Sequence, residues 1–192
     1  VFRADSYVAD LSVKLSKAGQ PMPNAKLLIG ASIGDQAIPH HNFYHIEPEA
    51  VAHVNDAVYR NQGASLTFDA NNQSSVAVPG NIDWAGVGDA YFAMAAIPAQ
   101  RFQGLEFHAT KYEFQTEPFY DGIISWVTRS QKTSETRHLI TAYVPITTDG
   151  TATKIFTGTK DYFALSGPYT ESLSQSTGRR IELVDLINFS NY

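Results

Sequence analysis

The chain has 192 residues, 43% hydrophobic and 17% charged, the composition of a folded domain rather than a disordered one. Its net charge is −5 and its densest basic spot is Arg179-Arg180, which argues against binding a phosphate backbone through clustered Lys and Arg. With no cysteine, disulfides, zinc–thiolate sites and cysteine nucleophiles are excluded.

The pattern is read in chain order. Tyr7–Leu15 alternates, with Tyr7, Ala9, Leu11, Val13 and Leu15 on one side, as a strand with one wet face does. "KAGQPMPN" follows as a turn and "AKLLIGASI" (25–33) as a second strand. "PHHNFYHIEPE" (39–49) is read as a loop, and "AHVNDAVYR" (52–60) as a poor strand or a short helix. "ASLTFDA" (64–70) alternates again, and "SSVAVPG" (74–80) is short and extended. In "DWAGVGDAYFAMAAIP" (83–98), the apolar run Tyr91–Ile97, closed by Pro98, is too short for a membrane-spanning helix. It suits a central strand covered on both faces. Tyr91 and Phe92 are expected on opposite faces with at least one buried, so that Phe92→Ala removes about 3–5 kcal/mol.

Aromatic and apolar residues are scattered through 99–114. Residues 121–131, 135–146 and 153–159 are predicted strands, 160–167 a short helix and 168–180 a polar loop. Residues 181–189 fit a helix or a last strand. Many short strands, few helices and frequent turns predict one antiparallel β-sandwich or barrel. No other segment approaches a membrane span, and the chain as given is expected to be soluble. Because it starts at Val1, it is expected to be a processed protein or an excised piece.

Several motifs carry possible chemistry. "GASIG" (30–34) matches G-x-S-x-G and would make Ser32 a hydrolase nucleophile. Pro39 leaves little room for the helix that pattern needs, so a glycine-flexed strand end is preferred. "GVGDAY" (86–91) holds half of a dinucleotide fingerprint, without a following helix, and is read as a turn or bulge. His40, His41 and His45, with Glu47 and Glu49 beside them, are candidate metal ligands. Adjacent residues of an extended chain point apart, however, and a solvated loop is preferred. His40, His41, His45 and Glu47 could also do acid–base work on a sugar, given a His opposed to a carboxylate in a cleft. The residues alone therefore give a β-rich binding or scaffold module, with no catalytic residue and no cofactor.

Three segments carry a resemblance. Trp84, Tyr91, Phe92 and Pro98 of the 83–98 stretch stand as in the YidC family of membrane protein insertases, most like its photosynthetic-bacterial branch. "KIFTGTKDYFAL" (154–165) resembles that family's strand-to-helix segment through Lys160, Asp161 and Tyr162. "IELVDLINFSNY" (181–192) is similar to the segment that closes its extracytoplasmic domain before the second transmembrane helix. Order and spacing agree over 84–192, and the N-terminal half matches only in style.

The resemblance implies a galactose-mutarotase-like β-supersandwich with a few short helices, spanning 1–192 as one domain cut from a longer membrane protein. It implies a periplasmic or lumenal place at a bacterial inner or thylakoid membrane, and no enzyme activity or cofactor. The partners it implies are Sec translocon components and nascent membrane proteins. The polar insert 168–180 is longer than the family pattern leads one to expect. The alternatives are a secreted carbohydrate-binding or sugar-epimerising sandwich and, behind it, the Ser32 hydrolase.

Overall fold

A computed structural model of the chain describes residues 6–23, 25–32, 47–116 and 133–189. The strands are β1 (Val8–Lys14), β2 (Ser16–Lys17), β3 (Gln20–Pro21), β4 (Ala25–Ser32), β5 (Glu49–Val54) and β6 (Ala57–Gln62). They continue with β7 (Gln73–Gly88), β8 (Phe92–Ile97), β9 (Phe102–Thr116), β10 (Thr133–Ile146) and β11 (Asp149–Thr159). Helices α1 (Tyr162–Ser166) and α2 (Pro168–Thr177) follow, and a 3₁₀ turn, Leu183–Leu186, ends the described chain. The fold is mainly β and antiparallel with short helices, as the sequence predicts.

Among the described residues one nine-stranded sheet runs β1-β11-β8-β7-β9-β10-β4, with β5 on β7 and β6 on β5. Strand β7 organises it. Gly88 to Ala85 pair with Ala93 to Ala96 of β8, and Ile82 to Gln73 pair with Phe102 to Thr110 of β9. β8 and β9 thus run in succession along one strand, and β5 takes Ile82–Gly88 on the other side. Every residue from Ile82 to Gly88 is buried, as expected of a strand covered on both faces.

Side-chain alternation sends this burial into two cores. Ala85, Val87 and Ala96 join Ile29, Phe107 and Ile140 in an inner core within the curl of the sheet. Gly30 sits where β4 comes down on β7: a Cβ there would lie 2.8 Å from the Ile140 carbonyl oxygen and 3.2 Å from Val87 Cγ2, and its φ is +110°. Only glycine fits both demands. Trp84, Ala93, Ala95 and Ile97 face outward, into a second core roofed by Leu165 of α1, Leu173 of α2 and the closing segment Ile181–Ile187.

The structure corrects five expectations. Tyr91 and Phe92 are 63% and 56% exposed, so neither is buried. The apolar run does not begin as strand: the Asp89 carboxylate accepts the N–H groups of Tyr91 (2.8 Å) and Phe92 (2.7 Å), making a tight Asx-type turn between β7 and β8. Residues 52–60 are neither one strand nor a helix but the β5–β6 hairpin, turned by Asn55 and Asp56 at φ 51° and 61°, the left-handed pair of a two-residue turn. Residues 64–70 are not a strand. Leu66 and Phe68 pack on the inner core from irregular chain after a 3₁₀ turn at Gly63–Ser65, so packing on the core, without ladder pairing, produced the alternation.

Nor is 168–180 a loop. Residues 168–177 form α2, with Pro168 in the first turn and Gly178 left-handed at its end. Its one buried side chain, Leu173, gave no apolar stripe to read. The closing segment 181–189, expected as helix or strand, is largely irregular around the 3₁₀ turn Leu183–Leu186. The predicted strand 121–131 lies outside the described residues.

Candidate functional site

Between the β8 and β9 pairings, β7 loses its regular partner opposite Pro98–Arg101. Backbone carbonyls stripped of ladder bonds there need another donor. Arg179, just past the end of α2, supplies it. Its Nη1 donates to the Ala99 carbonyl (2.8 Å), and Nη2 to the carbonyls of Pro98 (2.6 Å) and Asp83 (2.8 Å). Its Nε meets the Asp83 carboxylate at 3.0 Å.

Asp83 is 1% exposed, and it also accepts from Arg101 Nε (2.7 Å) and His53 Nδ1 (2.9 Å). Burial pushes its pKa up, but the hydrogen bonds and charges of Arg101 and His53 outweigh that and hold it below the usual carboxylate value. Burial moves Arg179 down from the ordinary guanidinium value, against the charge of Asp83. Asp83 is thus a fixed anion, a tie rather than a proton donor.

A second buried carboxylate lies on the same face. Glu49, fully buried at the start of β5, accepts from Arg60 Nη1 (2.6 Å), Lys160 Nζ (3.1 Å) and Asn188 Nδ2 (3.4 Å). Arg60 also donates to the carbonyls of Asp185 and Ile187 in the closing segment. Pairing from two strands and the chain end holds this charge where an unpaired one would be expensive.

The residues carrying the resemblance assemble here. Trp84 is fully buried in the outer core and stacks on His53, centroids 6.4 Å apart. Pro98 is buried beneath Arg179. Lys160 ties down Glu49, and its N–H donates to the Tyr91 carbonyl at 2.7 Å. Asp161 caps α1 by accepting the Ala164 N–H at 2.7 Å. Tyr162 is half exposed against Phe163 and Phe189. Tyr91 and Phe92 ride on the turn at the rim of the cluster. The sequence did not single out Arg179, Asp83 or Arg60. Only the doublet Arg179-Arg180 after a glycine hinted at the first.

The other candidates fall elsewhere. His40, His41 and His45 lie outside the described residues. Glu47 accepts from Nδ1 of His138 at 2.9 Å, a histidine the sequence did not single out. His138 is 6% exposed, packed on Phe68 at 5.3 Å, and a Cβ at Gly63 would come within 2.6 Å of its own Cβ. Its ring is a packing element. Ser32 ends β4, and its hydroxyl accepts the Ile140 N–H at 3.2 Å, where the β4–β10 register slips. A strand irregularity consumes it.

On the inner side, a groove of about 420 Å³ opens between β1 and β4, floored by Leu11, Leu27, Ile29, Met94 and Ile155. Among the described residues β1 pairs only with β11 and β4 only with β10, so each wall is a strand edge. Tyr7 and Leu28, 53% and 50% exposed, stand at its lips. No helix of the described residues is long and apolar enough to cross a membrane. Protein-family models, curated proteins and solved structures give no match to this chain.

Proposed function

We propose that the chain is an extracytoplasmic domain of a membrane protein insertase of the YidC family. It acts without catalysis or cofactor, by contact with Sec translocon components or nascent membrane protein segments at a bacterial inner or thylakoid membrane. The observation that carries this reading is the meeting of the three resembling segments. Trp84, Ala93, Ala95 and Ile97 of the first, Phe156 and Leu165 of the second, and Ile181–Ile187 of the third make up nearly all of one core. Segments far apart in sequence that resemble one family and pack as one unit are better explained by kinship than by separate coincidences.

The groove between two strand edges supports the mode of action. It offers apolar surface and, among the described residues, strand-edge backbone groups without a ladder partner, the combination that takes up an extended segment. The test is fractionation of the source cells with an antibody raised against this chain and an alkaline carbonate wash. The reading expects the antigen in the membrane pellet at a mass well above 21.1 kDa. Antigen washed into the soluble fraction at that mass, with a sugar bound or turned over in calorimetric and mutarotation assays, would replace it with the sugar-binding sandwich.

A further inference from the structure

A ring nitrogen of His53 and one carboxylate oxygen each from Glu182 and Asp185 lie within 4.8 Å of one another. His53 comes from β5 and the two acids from the closing segment, so the cluster bridges sheet and chain end. The histidine is already oriented. Its Nδ1 faces the Asp83 carboxylate at 2.9 Å, and a carboxylate gripped by two guanidinium groups accepts there, which places the ring proton on Nδ1. That leaves Nε2 as the ring atom open to a metal. A carboxylate behind a histidine is the usual outer support of a metal-bound imidazole. Asp83 is itself fixed by Arg101 and Arg179, and Trp84 stacks on the ring.

The cations nearby are largely engaged elsewhere. Arg101 and Arg179 hold Asp83, while Arg60 and Lys160 hold Glu49. Arg180 pairs with Glu182, but its side chain is 82% exposed, and such a pair is displaced at little cost. Among the described residues the Asp185 carboxylate has no hydrogen-bond or ion-pair partner. Two carboxylates thus meet beside an oriented imidazole.

We propose that His53, Glu182 and Asp185 bind a divalent first-row transition ion, with Asp83 positioning His53, and that the ion clamps the closing segment to β5. One nitrogen and two oxygens form a borderline set that suits Zn²⁺ or a neighbour of it better than Mg²⁺ or Ca²⁺, which prefer oxygen alone. The clamp stands whether or not the insertase reading does.

The test is Zn²⁺ titration of the whole chain by calorimetry, with thermal unfolding and histidine ¹⁵N spectra alongside. Expected are one Zn²⁺ per chain, a raised melting temperature, and a shift at His53 Nε2 with Nδ1 still protonated. Asp185→Asn and Glu182→Gln should each weaken Zn²⁺ at least tenfold. Asp185→Asn is close to isosteric and serves as a fold control, its metal-free melting temperature expected near that of the unaltered chain. No Zn²⁺-dependent shift in the unaltered chain, or an equal shift in Asp185→Asn, overturns the site. Stabilisation by Ca²⁺ or Mg²⁺ as strong as by Zn²⁺ overturns the role of His53.

Discussion

The two faces of the sheet are closed in different ways. The inner face closes largely by packing: small residues such as Ala52, Ala85, Ala96 and Ala142 lie in its core where β4 comes down on β7, and the buried polar contact beside it is that of His138 with Glu47. The outer face needs a roof of α1, α2 and the closing segment, and that roof is bolted down by Asp83 with Arg179 and Glu49 with Arg60 and Lys160. The difference follows from β7. A strand long enough to pair with β8 and then β9 leaves a gap between them, and the carbonyls in that gap require a donor from outside the sheet. The inner core is assembled mainly from side chains. The outer face has backbone to satisfy as well.

Substitutions can break this contrast. Trp84→Ala empties the outer core and should remove about 3–5 kcal/mol in urea unfolding. Arg179→Met leaves the Asp83 carboxylate and three carbonyls without their guanidinium, and should cost about 3 kcal/mol. A loss below about 1 kcal/mol would mean that water fills the gap equally well.

Acid should loosen the same bolt. The folded-state pKa of Asp83 lies below its unfolded value, so its contribution is complete above the unfolded value of about 3.9 and fades as pH falls through the folded one. Urea midpoints should therefore drop in that acid range, and less so in Asp83→Asn. Asp185 runs the other way: its folded pKa is raised, so it favours folding at low pH and loses that advantage as pH rises through the folded value.

Phe92→Ala, at an exposed turn, should cost less than about 1 kcal/mol by the same measurement. Leu28→Ser, at the lip of the groove, should fall within about 0.5 kcal/mol of no change. A large loss at Leu28 would show that the groove is part of the packed interior rather than an open surface.

Much of the sheet was legible. Alternation located β1 and β10, because each has one face in a core and one in or near solvent. The stretch 83–98 was expected to hold one central strand covered on both faces, but Tyr91 and Phe92 are exposed and its two ends belong to different strands. One Asp in the turn separates them, and hydrophobicity cannot reveal that. Helix α2 escaped because Ser and Thr fill it: Thr170, Ser176 and Thr177 bond carbonyls of residues 165 and 173, and a single leucine gives no period. The bolts were invisible for another reason. Asp83, Arg179 and His53 are far apart in sequence and meet beside the place where β7 exchanges one partner for another, while Glu49 finds Lys160 only in the fold.

The account rests on the closing segment being part of the outer core and not a loose end laid on it. Amide hydrogen exchange tests this directly at Ile181, Asp185 and Ile187, whose N–H groups bond Ser174 Oγ, the Glu182 carbonyl and the Val184 carbonyl at 2.9, 3.3 and 2.9 Å. The account predicts that they exchange through the same opening as the amides of β7 and β8, with matching protection that Trp84→Ala lowers in all of them together. Exchange of 181–187 orders of magnitude faster than β7, unaffected by Trp84→Ala, would contradict it.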